Sequence, residues 1–120
     1  MISARAEKLE DRRKKRRIYE QLFVQVSAGE NIWRGSTKNV SANGLFIRFV
    51  DEIVRTFVPG QQIHLKLLLP KGETCKLMGR IARVVLDDPQ TIRHGIGVEI
   101  MGSEPVQEAK YSAFIRERLR

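Results

Sequence analysis

Six segments between residues 22 and 101 have the composition of β-strands, and most alternate apolar and polar residues as strands with one buried face do. They are residues 22–26, 32–40, 45–50, 63–69, 75–86 and 94–101. Alternation is clearest in 63–69, which follows Pro59-Gly60 and ends at Pro70-Lys71-Gly72, two strong turn signals. Because no helical pattern separates these segments, the sequence predicts an all-β protein with an antiparallel barrel or sandwich.

Two of the segments depart from simple alternation. Residues 75–86 end in three successive apolar residues, Val84-Val85-Leu86, which predicts a bulge or burial on both faces of the strand. One face of residues 94–101 carries Gly95 and Gly97, so we expect that side of the last strand to be open.

A helical pattern follows the last strand. Ser103 is a suitable N-cap, and Pro105 falls in the first turn of a helix predicted over residues 104–118. The predicted apolar stripe consists of Val106, Ala109, Ala113 and Phe114. We expect this helix to cover one end or one open side of the β-structure.

The positive charge of the chain is concentrated in one place. The 120 residues include 22 Lys and Arg against 14 Asp and Glu, which gives a formal net charge of +8. Residues 12–17 are six consecutive cations, and taking these six away leaves a surplus of only two. Nucleic-acid-binding and membrane-surface proteins more often spread cations over a face, whereas one cluster suits a compact anion or a flexible basic arm.

The length of the chain fits a single folding unit with one modest core. We expect residues 1–11 to form a tail or short helix and residues 12–120 to form the domain, with a basic arm at 12–20. No stretch approaches the roughly 18 to 20 apolar residues that span a bilayer. The N-terminus lacks a secretory signal, and Cys75, the single cysteine, cannot form an intramolecular disulfide, so we expect a cytoplasmic protein.

Two short motifs carry the candidate chemistry. Arg13 and Arg17 form an RxxxR pattern before the first strand, and residues 39–44, Asn-Val-Ser-Ala-Asn-Gly, form a [D/N]xSxxG pattern between the second and third strands. Arg17 and Asn39 are 22 positions apart. Each motif alone is weak evidence, but with this order, spacing and strand context the chain resembles PilZ domains over roughly residues 10 to 115.

The resemblance implies a six-stranded antiparallel β-barrel with a C-terminal α-helix. It implies a receptor for cyclic di-GMP, with no catalytic activity, cofactor or metal, that signals to a partner protein controlling motility, exopolysaccharide production or virulence. The implied ligand-binding residues are Arg12, Arg13, Arg17, Asn39, Ser41 and Gly44.

The basic run offers two registers for the first motif, Arg12 to Arg16 and Arg13 to Arg17. The second is preferred because Ile18 follows it directly and the spacing to the first strand resembles the family pattern. Arg12 then lies just before the motif, where an arginine can add a contact to a guanine or a phosphate. We therefore expect cyclic di-GMP to bind as a stacked dimer.

Arginine suits this ligand because its planar fork pairs with phosphate oxygens or with guanine O6 and N7, and also stacks on the base. By resemblance, the arm is a flexible loop that wraps the ligand. Asn39 and Ser41, expected on the barrel surface, offer donors and acceptors to guanine. We expect Gly44 to permit a positive φ and close approach of the backbone to the nucleotide, and Asn43 to tolerate the left-handed region.

A small basic β-barrel that binds nucleic acid through the arm at 12–17 is the alternative function. A solvated basic tail is the alternative interpretation of the arginine run by itself. His64 and His94 are too far apart in sequence to indicate a metal site, and no Ser-His-Asp or Cys-His signature indicates catalysis. Trp33 falls in a predicted strand, where packing is a more frequent role than stacking on a nucleotide.

Overall fold

Six strands and one α-helix are present in the computed structural model, which describes residues 16–49, 56–88 and 93–120. They are β1 (Phe23–Ala28), β2 (Asn31–Val40), β3 (Gly44–Phe49), β4 (Gln62–Leu68), β5 (Thr74–Asp88), β6 (Arg93–Ile100) and α1 (Pro105–Arg118). All six predicted strand segments are found, with slightly shifted ends. Within the described ranges, no helix is long and apolar enough to cross a membrane.

The strands close into an antiparallel barrel in the order β1-β2-β3-β6-β5-β4. This confirms the six-stranded barrel with a C-terminal helix and decides between the barrel and the sandwich that the alternation left open. In this ring β3 is paired with β6, and β1 is paired with β4. The β3–β6 pair therefore faces away from the β1–β4 pair, on the other side of the barrel.

Alternate side chains of the strands fill the barrel interior. The most deeply buried include Val26, Ile47, Ile63, Leu65, Leu67, Ile81 and Ile96. Burying one side chain of this kind contributes about 1.5–3 kcal/mol relative to leaving it exposed, so this core stabilises a scaffold on whose surface loops and outward-facing residues are held in place.

β5 contains the predicted bulge, together with a second irregularity. Its pairing with β6 shifts between Ile81 and Arg83 and again between Val85 and Asp88. One extra residue in a strand reverses the face of every residue that follows. Arg83 therefore pairs with the outward-facing Gly97, although in regular alternation it would share the inward face of Ile81.

The outer face of β6 is not open, contrary to the expectation from its glycines. A Cβ atom on Gly95 would lie 2.4 Å from Cε1 of Phe46, and one on Gly97 would lie 2.9 Å from Cγ of Arg83. Because glycine has no side chain, Gly95 and Gly97 leave room on β6 for side chains from the two neighbouring strands, β3 and β5.

α1 packs on the barrel through a stripe that differs from the predicted one. Its buried residues are Tyr111, Phe114 and Ile115. Val106 is 65% exposed, and Ala109 and Ala113 are exposed as well. The prediction was wrong at these three positions because it followed small apolar residues, whereas the barrel end accommodates the large side chains on an adjacent face of the helix.

Ser103 does not cap α1, so that prediction was also wrong. The N-cap residue is Glu104, and no side chain makes a capping hydrogen bond there. The Ser103 hydroxyl instead accepts a hydrogen bond from the Met78 N–H at 2.9 Å. The Ser103 N–H donates to the Glu108 carboxylate at 2.7 Å, so Ser103 fixes the start of the helix against β5.

Candidate ligand-binding site

The chain segment that precedes β1 runs beside β2. Ile18 and Val40 exchange two backbone hydrogen bonds of 2.7 and 2.9 Å in an isolated antiparallel bridge. The buried Thr37 hydroxyl accepts from the Leu22 N–H and donates to the Glu20 carbonyl, each at 2.8 Å. The described end of the basic arm, next to β1, is therefore held against the barrel.

This pairing brings the two sequence motifs together. Nη1 of Arg17 donates to Oδ1 of Asn39 at 2.6 Å, across 22 positions of sequence. Asn39 is 8% exposed and Ser41 is 5% exposed, so little of either side chain is open to solvent. A charged donor in this partly buried setting makes a stronger hydrogen bond than a neutral one would.

Ser41 and Gly44 close the turn between β2 and β3. The Ser41 hydroxyl accepts from the Gly44 N–H at 3.2 Å and donates to the Gly44 carbonyl at 3.1 Å. The Ser41 N–H also donates to the Gly44 carbonyl at 2.8 Å. The SxxG spacing thus has a local structural role, because the two residues bond to each other across the turn.

Gly44 lies in β3 without the positive φ that was expected, and Asn43 also has no positive φ. Glycine is required at position 44 for another reason: a Cβ atom there would lie 2.5 Å from the Val98 carbonyl oxygen. The close approach in this structure is to the backbone of β6. The Asn43 carbonyl accepts from the Ile100 N–H at 2.8 Å, which fixes the turn to the same strand.

α1 contacts both this turn and the arm. The Tyr111 hydroxyl donates to the Ser41 carbonyl, and burial raises the pKa of Tyr111 above its usual range, so the hydroxyl stays protonated. Nε of Arg118 meets the Glu20 carboxylate at 2.6 Å. Neither contact was expected from sequence, since only the fold brings the helix beside both segments.

A surface cavity of about 460 Å³ opens beside the turn, over β3, β5 and β6. Its lining includes Arg17, Ser41, Gly44, Phe46, Arg83 and Glu99. Of these, Arg83 was not singled out in the sequence. No motif marks it, and it faces outward because of the irregularity in β5.

The remaining predicted residues have simple outcomes. Arg12 and Arg13 lie outside the described residues. Trp33 packs edge-on against Phe57, with ring centroids 4.8 Å apart, as expected for a packing role. In the part of the chain that the structure describes, no group of three or more His, Cys, Asp or Glu side chains could hold a metal ion.

Comparison with known families identifies a match over most of the chain. The family model described as PilZ domain matches residues 11–117. No curated protein sequence shows significant similarity to the chain.

Several solved structures share the fold. The Bacillus subtilis inhibitor of motility, MotI/DgrA, is 20% identical with a TM-score of 0.72 over 87% of this chain, which spans 47% of that protein. The PilZ domain of CeSA from a cellulose-synthesizing bacterium is 18% identical, with a TM-score of 0.67 over 88% of this chain and 100% of that domain. The PilZ domain with c-di-GMP of YcgR from Escherichia coli is 14% identical, with a TM-score of 0.66 over 91% of this chain and 92% of that one.

Proposed function

This chain belongs to the PilZ domain family, and from that premise we propose that it is a cyclic di-GMP receptor that is not an enzyme. The observation that supports this most directly is the hydrogen bond between Arg17 and Asn39, which joins the two motifs beside one cavity. The solved structure of the YcgR PilZ domain with c-di-GMP supports the same ligand.

The chemistry of the cavity suits a cyclic dinucleotide. A guanidinium has five N–H donors, and the bond to Asn39 uses one of those on Arg17, which leaves donors for phosphate oxygens or a guanine edge. Asn39, Ser41 and Gly44 are proposed to contact the base at the turn. Binding there exchanges some hydrogen bonds within the protein for bonds to the ligand, which favours a ligand with matching donors and acceptors over a generic anion.

Arg13 and Arg12 are proposed to complete the site from the arm. Ile18 is fixed to Val40, and Arg13 is four positions from Arg17, so a fully extended chain places it at most about 14 Å away. The fixed pairing therefore limits where these arginines can reach. We propose that ligand binding draws the arm onto the barrel and creates a surface that a partner recognises.

The partner is proposed to act in motility, exopolysaccharide production or virulence. Tyr111 of α1 contacts the turn between β2 and β3 at Ser41, and Arg118 contacts the arm at Glu20. A change in either segment thus has a direct physical path to the helix, which gives the receptor a surface that can respond to ligand.

Calorimetric titration tests this proposal with cyclic di-GMP, GMP and a short oligonucleotide. We expect strong preference for cyclic di-GMP, and we expect Arg13→Ala and Arg17→Ala each to weaken its binding by about tenfold or more, because each removes charge-assisted hydrogen bonds. Arg34→Ala is the matched control, since Arg34 is an exposed arginine of β2 that lies away from this cavity.

Two results separate the alternatives. Comparable binding of all three ligands, with an affinity that falls steeply with salt, would contradict the receptor and favour the nucleic-acid-binding barrel. A stacked dimer predicts saturation at two ligands per chain, and saturation at one would refute that stoichiometry.

A further inference from the structure

Arg83 holds a defined position on the outer face of the barrel. It lies directly opposite Gly97 of β6, which in turn lies opposite Phe46 of β3. The three residues form one row across three neighbouring strands. Because β3 and β5 are two strand spacings apart, about 10 Å, only a long side chain crosses from one to the other over a glycine.

The Arg83 side chain does cross this gap. A Cβ atom on Gly97 would lie 2.9 Å from Cγ and 3.0 Å from Nε of Arg83, so the side chain lies directly on the backbone of β6. Its guanidinium carbon is 5.6 Å from the ring centroid of Phe46, within cation–π range. Phe46 itself is only 6% exposed, which gives the guanidinium a firm apolar support.

The placement of Arg83 depends on the irregularity of β5. Without the register shift between Ile81 and Arg83, the guanidinium would face the barrel core, where an unpaired charge is strongly unfavourable. Bulges often re-aim a side chain beside a functional site. Here the shift places a cation in the cavity that Arg17 and Ser41 also line.

Electrostatics in the cavity favours a role for Arg83 toward a ligand. Among the described residues that line the cavity, Glu99 is the carboxylate, and its partner is Arg80, with Nη2 and Oε2 2.9 Å apart. The guanidinium carbon of Arg83 lies over the ring of Phe46. A planar guanidinium that packs on one ring can stack on a second flat ring from its opposite side.

Resting on the proposed function, we infer that Arg83 stacks on a guanine base of cyclic di-GMP through the side of its guanidinium that faces away from Phe46. Arg17 and the turn at Ser41 then bind at one edge of the cavity, and Arg83 holds a base at the other. The ordered row of Phe46, Arg83 and guanine uses the planarity of the guanidinium, a property that lysine lacks.

Titration of cyclic di-GMP into Arg83→Ala and Arg83→Lys tests this assignment. Stacking on one base contributes to the binding free energy, so we expect each variant to bind cyclic di-GMP about tenfold more weakly than the wild type. Arg34→Ala, which removes the same charge from an exposed site on β2, is expected to bind like the wild type. Circular dichroism of each variant checks that the barrel is retained.

The outcomes are distinct. Recovery of affinity to within about twofold in Arg83→Lys would mean that only charge matters and would overturn the stacking role. Wild-type affinity in Arg83→Ala, together with lost binding in Arg17→Ala, would overturn the stacking role of Arg83 but leave the proposed receptor function intact. An equal loss of affinity in Arg34→Ala would mean that the overall charge of the protein, and not stacking by Arg83, sets the affinity. If the wild type does not bind cyclic di-GMP, both the receptor function and the role of Arg83 are overturned.

Discussion

Gly44 is required by a contact between two backbones. β3 passes so close to β6 at this point that a Cβ atom would meet the Val98 carbonyl oxygen at 2.5 Å. Neither partner is the end of a flexible side chain, so the clash can be relieved only by moving a strand. At this position the last residue of the [D/N]xSxxG motif fixes the distance between the turn and β6.

We predict that Gly44→Ala destabilises the protein by about 1–3 kcal/mol, the usual cost of forcing an extra methyl group into a packed site. Urea unfolding followed by tryptophan fluorescence measures this change. Gly102→Ala is the matched control, because a Cβ atom there has no atom within 4 Å and no positive φ opposes it. If the two variants are equally stable, the close approach at Gly44 does not limit the fold.

α1 closes one end of the barrel with three large side chains, and one of them carries a buried hydroxyl. Tyr111 is 3% exposed and donates to the Ser41 carbonyl, while Cys75 of β5 donates to the Gln107 carbonyl of the helix at 3.3 Å. Burial raises the pKa of both groups above their usual ranges. The helix is therefore docked through groups that must remain protonated.

This docking predicts a loss of stability at alkaline pH. Tyrosine in the unfolded chain ionises near pH 10, whereas Tyr111 in the folded protein keeps its proton to higher pH. The unfolded state then loses protons first, so the free energy of unfolding falls above about pH 10, by up to about 1.4 kcal/mol per pH unit for this group. Cys75 adds a loss of the same sign that begins at lower pH.

Urea unfolding at pH 8 and pH 11 checks this expectation. Tyr111→Phe should be less stable than the wild type at pH 8, because the Ser41 carbonyl loses its partner, yet should lose less stability between the two pH values. Tyr19→Phe, which removes the other tyrosine hydroxyl at a side chain that is 76% exposed, provides the comparison. An identical pH dependence in both variants would contradict the role of Tyr111.

The closed barrel brings distant parts of the chain to one side of the molecule. Arg17 meets Asn39 across 22 positions, and Glu20 meets Arg118 across 98. The cavity draws its lining from the arm and from β3, β5 and β6. A ligand held there contacts segments that are separate in sequence, so its binding free energy adds to the stability of the whole fold.

We therefore predict that cyclic di-GMP raises the melting temperature. At a free ligand concentration of 100 times Kd, binding to the folded state alone adds about 2.7 kcal/mol, which shifts the midpoint of a domain of this size by on the order of 10 °C. Differential scanning fluorimetry over a ligand series measures the shift. It should fall by about half or more in Arg17→Ala at the same ligand concentration and persist in Arg34→Ala, and an unchanged shift in Arg17→Ala would remove that residue from the site.

The sequence by itself determined the strands and the two motifs. A period of two is a local property, so 63–69 and the other segments were found with nearly correct ends, and the bulge in 75–86 was visible as a break in that period. The spacing of Arg17 and Asn39 carried the resemblance to the family. These features depend on neighbours in the chain, which the sequence lists.

Only the tertiary structure decided which side chains meet. The register shift in β5 turned Arg83 toward the cavity, and the docking of α1 chose Tyr111 and Ile115 in place of Ala109 and Ala113. At Gly44 the expected positive φ is absent, and the constraint in this structure is the carbonyl of Val98 in a strand far along the chain. Such contacts arise from strand order, register and helix rotation, which are set by packing the whole barrel at once and leave no local pattern in the sequence.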